Sequence, residues 1–291
     1  MSSAILQIER QTTQRNRQID SPRYQTRKMD REDQNTIAVL FRSLHRPGHP
    51  LVLTNVWDAI SASAIASLPG TTALATASFA VAAAAGLTDD DLDLPTLLSA
   101  ASAISRVATT HSLPLTVDLQ DGFGAQLVDA VREVINLGAV GINLEDFGRD
   151  IGALYSVEEQ CERIRRVVEV ASELGVPDFV VNARTDALFT EGNVDEAIAR
   201  GKAYLEAGAF NVFIWGGPKR EGWGRHDVER AAKALGGRLN VTLIHGREGG
   251  LSVGEIAELG VARISVGPAL MRWSIEALKG EAARILNTSE K

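Results

Sequence analysis

The chain has 291 residues, enough for one large α/β barrel or two small domains. It is 45% hydrophobic with a net charge of −7, so it carries no electrostatic footprint for nucleic acid or an anionic membrane. No apolar run is long enough to span a bilayer, and a single cysteine, Cys161, excludes an intrachain disulfide, which fits a reducing, cytoplasmic setting.

Residues 1–35 are polar, rich in Gln, Arg, Ser and Thr, and lack apolar periodicity. They read as a disordered or loosely held arm. Arginines outnumber acids there, so a mitochondrial transit peptide is the alternative location signal; Glu9, Asp20 and Asp30 argue against it. Residues 36–291 read as one domain. A helix from Thr36 (Ile37, Ala38, Leu40, Phe41, Leu44) leads to Pro47-Gly48. A unit of short apolar strand, loop and amphipathic helix then repeats. Strands are predicted over 51–54, 72–76, 115–118, 140–144, 179–182, 211–215, 240–244 and 263–266. Helices are predicted over about 58–67, 95–110, 126–137, 156–174, 194–207, 226–235 and 252–259, with a last one from about 268. Ser156-Val-Glu-Glu159 and Ser252-Val-Gly-Glu255 read as capping boxes, and Gly138, Gly175, Gly208 and Gly260 as helix stops. Eight regular units predict a (β/α)8 TIM barrel. A doubly wound open sheet is less well supported, because no Gly-x-Gly-x-x-Gly follows the first strand.

Chemistry in such a barrel sits at the C-terminal ends of the strands. Two stretches organise that end: Leu115-Thr-Val-Asp-Leu-Gln-Asp-Gly-Phe-Gly124 and Val140-Gly-Ile-Asn-Leu-Glu-Asp146. Each is an apolar run that stops abruptly in acids. Asp118 and Gln120 are two apart, so on a strand they face the same side. Carboxylates converging there suit a hard cation such as Mg²⁺, completed by water and substrate oxygens. Any one acid alone reads better as a cap or turn former; the set favours a site. Other residues predicted at the mouth are Asn55, Trp57 and Asp58, then Thr76, Ala77 and Ser78, then Arg184 and Asp186, then Trp215, His245, Arg247 and Gly267. This assembly suits a small 2-oxo acid or polycarboxylate, with Arg184 gripping a carboxylate as a bidentate fork. Bland readings stand beside these. Arg184 could simply pair with Asp186, Trp57 and Trp215 could be pocket wall or core, and His245 could be a satisfied polar residue at a strand end. The segment His245-Gly-Arg-Glu-Gly-Gly250 reads equally as an anion cradle or a plain glycine turn.

From about Pro50 to Arg272 the chain resembles the isocitrate lyase/phosphoenolpyruvate mutase superfamily, and more closely its short phosphoenolpyruvate-mutase-like branch. The resemblance rests on Asn55-Val-Trp-Asp-Ala59, Thr76-Ala-Ser78 with Gly86-Leu-Thr-Asp89, Val117-Asp-Leu-Gln-Asp-Gly-Phe-Gly124, Gly141-Ile-Asn-Leu-Glu-Asp146, Asn182-Ala-Arg-Thr-Asp186, Tyr204-Leu-Glu-Ala-Gly-Ala209 and Gly260-Val-Ala-Arg-Ile-Ser-Val-Gly-Pro268. It implies an α/β barrel, often a tetramer with swapped C-terminal helices. It also implies Mg²⁺, with Mn²⁺ as a substitute, and cleavage or rearrangement of C–C or P–C bonds next to an enolate. By the same resemblance Asp118 and Glu145 match metal-site acids, and Gln120 falls where the superfamily has a second acid. Asp89 matches an acid on the loop over the site. Thr76, Ala77 and Ser78 match the turn that holds the substrate carboxylate, and Arg184 the substrate-binding arginine. Trp57 and His245 are added from their positions at the mouth. The lyases also carry a loop with Lys-Lys-Cys-Gly or Lys-Arg-Cys-Gly whose Cys is the catalytic acid. Here it reads Phe147-Gly-Arg-Asp-Ile-Gly-Ala-Leu-Tyr-Ser156, with neither Cys nor Lys. Arg149, Tyr155 and water are the replacement proton donors to consider.

The expected function is therefore a Mg²⁺-dependent lyase-type enzyme acting on a small 2-oxo or 2-hydroxy carboxylate, with Arg184, Glu145 and Asp89 as catalytic residues. The alternatives are a phosphonate mutase or hydrolase, and a barrel that binds a carboxylate without turning it over. A homo-oligomer, dimer or tetramer, is expected from the resemblance and from the amphipathic end Trp273 to Leu286.

Overall fold

The computed structural model describes residues 30–190, 192–217, 223–244 and 249–287. Most of the expected N-terminal arm lies outside these, as do His245 and Arg247. Eight parallel strands follow in chain order: β1 (Leu51–Leu53), β2 (Leu74–Ala75), β3 (Leu115–Asp118), β4 (Gly141–Glu145), β5 (Val180–Thr185), β6 (Asn211–Ile214), β7 (Leu239–Thr242) and β8 (Arg263–Ser265). They form one sheet in the order β1-β8-β7-β6-β5-β4-β3-β2. A parallel bridge between Val56 and Thr76 joins the two outer strands, with Val56 N donating to Ala75 O at 2.8 Å. The ring closes, and the fold is a (β/α)8 TIM barrel.

The helices cover the barrel in sequence: α1 (Arg31–Ser43), α2 (Ala59–Ala66), α3 (Ser78–Ala84), α4 (Leu94–Thr110), α5 (Leu127–Asn136), α6 (Val157–Glu173), α7 (Val194–Glu206), α8 (Arg225–Ala234), α9 (Val253–Glu258) and α10 (Ala269–Asn287). Their apolar faces follow the 3.6-residue period; α5, for example, buries Leu127, Ala130, Val131, Val134 and Ile135. Ser252 and Glu255 form the capping box expected for α9, whereas Ser156 caps α6 through a single bond from Glu159 N. None of the described helices is long and apolar enough to cross a membrane.

Three elements depart from the sequence expectation. Helix α1 starts at Arg31, not Thr36, because Asp30 caps it and Arg31 and Gln34 both donate to Ile135 O. The polar residues that suggested a loose segment are thus tied to the end of α5. Short α3 was not foreseen, since its Ala-rich run carries no amphipathic stripe. Strand β5 runs on to Thr185, which puts Arg184 on the strand itself.

One end of the barrel is stoppered by α1. A side chain on Gly141, at the start of β4, would meet Val180 O at 2.9 Å and the Phe41 ring at 3.1 Å, so glycine lets that ring approach. His45 packs edge-on against Phe41 and Phe210. Burial, aided by the charge of Arg263, pushes its pKa down to about 3. A folded-state value below the unfolded 6.5 means this stability is complete above pH 6.5 and is lost as pH falls toward 3. The contribution to the acid slope is at most ~1.4 kcal/mol per pH unit. His45→Phe, which keeps the ring packing, should flatten that limb in urea titrations between pH 6 and pH 4. Equal slopes for both proteins would sink the assignment.

Candidate active site

The strand register brings the acids together. Asp118 of β3 lies beside Asn143 of β4, Asn143 beside Asn182 of β5, and Asn182 beside Asn211 of β6. Their side chains form a one-way ladder inside the barrel. Asn211 Nδ2 donates to Asn182 Oδ1 at 2.9 Å, Asn182 Nδ2 to Asn143 Oδ1 at 2.8 Å, and Asn143 Nδ2 to Asp118 Oδ1 at 3.4 Å. Arg263 of β8 also donates to Asn143 Oδ1, at 3.1 Å. A guanidinium has donors only, so it fixes the Asn143 amide with its oxygen toward Arg263 and its nitrogen toward Asp118. Arg263 is fully buried, which pulls its pKa down to about 9 although the Asp118 charge opposes this.

The other Asp118 oxygen, Oδ2, accepts from both the backbone N and the Oγ of Ser78, each at 2.9 Å. Thr76 Oγ1 accepts from Asp118 N at 2.8 Å, and Ala77 N donates to Val56 O. The turn expected to hold a substrate carboxylate therefore holds Asp118 with its polar groups. Ala77 and Ser78 line the cavity described below; Thr76 is 1% exposed.

Glu145 and Arg184 are register partners on β4 and β5. Arg184 Nη1 lies 2.9 Å from Glu145 Oε2, while Nε and Nη2 donate to the two oxygens of Asp186 at 2.6 and 2.9 Å. A guanidinium has five N–H donors, so donors on Nη1 and Nη2 remain for a ligand. Burial pushes Glu145 up to about 8 against the pull of Arg184 and Arg149. Arg149, on the loop after β4, reaches Glu145 Oε1 at 3.2 Å, Asp89 Oδ2 at 3.0 Å and Asp90 Oδ1 at 2.5 Å. The residues between are folded as a tight antiparallel pair, Phe147–Gly148 with Ala153–Leu154.

Gln120 departs from the same-face argument. β3 ends at Asp118, and Gln120 has φ of +52°, a left-handed conformation that breaks strand alternation. Its Nε2 donates to Asp89 O at 2.9 Å and to Asp89 Oδ1 at 3.0 Å. Its buried Oε1 has no hydrogen-bond partner among the described residues.

A cavity of about 560 Å³ opens at this end of the barrel. Asp89, Asp118, Asn143, Arg184 and Trp215 are among its walls, with Arg272 at one side. Trp57 is not; it packs against the cluster of Ala77, Ala80 and Met271. Asn55 ties the mouth together, accepting from Val266 N and Gly267 N and donating to Thr76 O. Asp146, predicted at the mouth, is fully buried on the helix side, where it accepts from Tyr204 Oη at 2.6 Å and from Asp186 N. Tyr155 is also turned away, donating to Asp121 Oδ2 at 3.2 Å, and burial pushes its pKa up to about 12.

Sequence reasoning missed the asparagine ladder, Arg263 and the aromatic wall of Phe189 and Phe213. A signal was present for the first: Asn143, Asn182 and Asn211 each stand in an otherwise apolar strand run.

The phosphoenolpyruvate phosphomutase family matches residues 41–286. The chain belongs to this family. It thereby falls within the isocitrate lyase/phosphoenolpyruvate mutase superfamily. Its sequence is 41% identical to 2-methylisocitrate lyase of Escherichia coli K12 over 141 residues, which is 45% of this chain and 46% of that enzyme. The chain thus aligns with about half the length of such curated relatives. Among solved structures, a Burkholderia cenocepacia J2315 protein proposed to be a phosphonomutase is 34% identical, with a TM-score of 0.77. That likeness covers 86% of this chain and 99% of the other. A 2,3-dimethylmalate lyase is 26% identical with a TM-score of 0.74, covering 86% and 87% of the two chains.

The hydrogen bonds from Tyr204 and Asp186 hold the Asp146 carboxylate away from the cavity. Tyr204→Phe, which removes the hydroxyl but not the ring, should cost about 1–3 kcal/mol of stability and leave ligand affinity unchanged. A matched pair of denaturation curves and ligand titrations checks this; a drop in affinity of the folded protein would show that Asp146 serves the site directly.

Proposed function

We propose that the chain is a Mg²⁺-dependent lyase-type enzyme that cleaves a C–C bond in a small 2-oxo or 2-hydroxy carboxylate through an enolate. The observation that carries this is the pairing of Asp118 and Arg184 as walls of one cavity at the C-terminal end of the barrel. One is an acid suited to a cation, the other a cation suited to a carboxylate. Family membership and the likeness to 2-methylisocitrate lyase and 2,3-dimethylmalate lyase support the reaction class.

The donor set fits the ion. Among the described residues no three Asp, Glu, His or Cys side chains form a group that could hold a metal ion. Mg²⁺ does not need one, since it is commonly held by one or two carboxylates with water and substrate oxygens. Asp118 and Glu145 would supply the carboxylates. The unpartnered Gln120 Oε1 is a neutral oxygen left over beside Asp89. Bound there, Mg²⁺ (or Mn²⁺) would supply Lewis-acid stabilisation of the enolate charge. Arg184 grips the substrate carboxylate with its remaining donors. Ser78, Thr76 and Asn143 orient Asp118. Arg149 holds the loop over Glu145 and Asp89, which keeps bulk water out of the mouth. Tyr155 is locked on Asp121, so water is the better proton donor in place of the loop Cys. A cytoplasmic homo-oligomer, dimer or tetramer, fits the exposed Trp273, Leu278 and Leu286 on α10.

Calorimetric titration of Mg²⁺ and Mn²⁺, with and without oxalate as an enolate mimic, tests the reading. Oxalate binding should require metal, and Asp118→Ala should weaken it by at least ~100-fold, since removing a direct ligand costs no less than the upper range for a group that only supports a ligand. Metal-independent binding, or none, would overturn the proposal. The likeness to the Burkholderia protein supports a second reading, P–C bond chemistry. A new ³¹P NMR signal from phosphonopyruvate would favour it, and an unchanged spectrum would exclude it.

A further inference from the structure

The largest fully buried side chain among the described residues is a charged one, Arg263 of β8. It stands in register between Leu51 of β1 and Asn240 of β7, two residues before Ser265, which lines the cavity. Its side chain crosses the barrel interior, and Nη2 donates to Asn143 Oδ1 at 3.1 Å. Its Nε and Nη1 are buried without a hydrogen-bond partner among the described residues. A guanidinium that is taken out of water to meet an amide oxygen lowers the stability of the fold. An unbranched apolar side chain such as methionine would fill much of the same space without that cost.

The charge gives the asparagine ladder its direction. Asn143 Oδ1 accepts from Asn182 Nδ2 at 2.8 Å as well as from Arg263, so both of its lone pairs are in use. Asn143 Nδ2 is left to face Asp118 Oδ1, at 3.4 Å. A row of amides has no preferred direction of its own, since each carries donors and acceptors alike. Asp118 polarises the row only while its oxygen is free to accept. Arg263 polarises it in every state, because a guanidinium cannot accept. A reversed Asn143 would set its own oxygen against the Asp118 carboxylate, at a position in the cavity wall.

We infer that Arg263 is a positioning residue for the cation site: through the Asn143 amide it fixes the orientation in which Asp118 faces the cavity. The inference rests on the enolate-site reading above and adds to it a residue that touches neither cation nor substrate. Ser78 holds one oxygen of Asp118 from the side, and Arg263 holds the other from below by way of Asn143. The buried charge is kept for the site, at the expense of the fold.

Oxalate titrations with Mn²⁺ present, paired with urea denaturation curves of the full-length protein, test this. Arg263→Met should weaken metal-dependent oxalate binding by about 10- to 100-fold, the range for a group that supports a metal ligand. Its urea midpoint should be unchanged or higher, because an apolar side chain replaces a buried charge. Arg263→Lys, which keeps a charge and a donor, should bind oxalate more tightly than Arg263→Met. In an Asn143→Leu background Arg263→Met should cost no further affinity, since the relay is already cut. Unchanged affinity in Arg263→Met, or an equal loss with and without the Asn143 amide, would overturn the inference while oxalate binding by the unsubstituted protein kept the enolate site standing. An Arg263→Met protein too unstable to fold would also overturn it, and would make the arginine a structural residue. Failure of the unsubstituted protein to bind oxalate would overturn both readings.

Discussion

The asparagine ladder that ends on Asp118 is the constraint on which the site depends. Four strands in one register set four polar side chains side by side in the buried interior of the barrel, with Arg263 of β8 beside them. A buried amide without a partner costs free energy, so the row is stable only if each amide satisfies the next. The direction of donation is not arbitrary. An ionised carboxylate only accepts, and a guanidinium only donates. Asp118 at one end and Arg263 beside Asn143 therefore orient the amides, and the acid is held from below while Ser78 holds it from the side. Closure of the ring through Val56 and Thr76 completes this arrangement, because Thr76 also takes the backbone N–H of Asp118.

Above the ladder the balance is between guanidinium groups and carboxylates. Arg184 bridges Asp186 and Glu145, and Arg149 bridges Glu145, Asp89 and Asp90. Burying Glu145, at 2% exposure, would be costly for an isolated charge. Two arginines, one on a strand and the other on the loop, offset part of that cost without filling the cavity. The same pairing explains why Arg184 need not be either a structural partner of Asp186 or a ligand-binding fork. Its side-on edge serves the first role, and its end-on donors are left for the second.

Much of this was legible in the amino-acid order. Alternating short apolar runs and amphipathic helices carry the barrel, because strands buried on both faces must be apolar throughout and helices on the outside need only one apolar stripe. Acids at the ends of β3 and β4 marked the mouth. What was not legible depended on backbone conformation and on contacts between distant segments. Trp57 reads as a mouth residue from its place after β1, yet the chain turns there and the ring packs toward Met271. Gln120 reads as a neighbour of Asp118 on one strand face, but the strand stops two residues earlier. Helix α1 reads as beginning late, because Arg31 and Gln34 look solvent-facing until their partners at the end of α5 are known.

Gln120 shows why such failures collect at the site. A non-glycine residue with φ of +52° adopts a backbone conformation that costs energy locally and persists only where its surroundings over-determine it. Here the surroundings are specific. Gln120 O accepts from Glu145 N at 2.9 Å, and its side chain grips Asp89. One strained residue thus joins the end of β3 to the end of β4 and to the loop before α4. A side chain continuing the strand would make neither contact, and Asp89 would be left to Arg149 alone. The turn converts a linear run of acids into a convergent group, and it does so at the residue where the chain has an amide in place of a charge. A neutral side chain can approach Asp89 closely, whereas a second carboxylate there would repel it unless a cation lay between them.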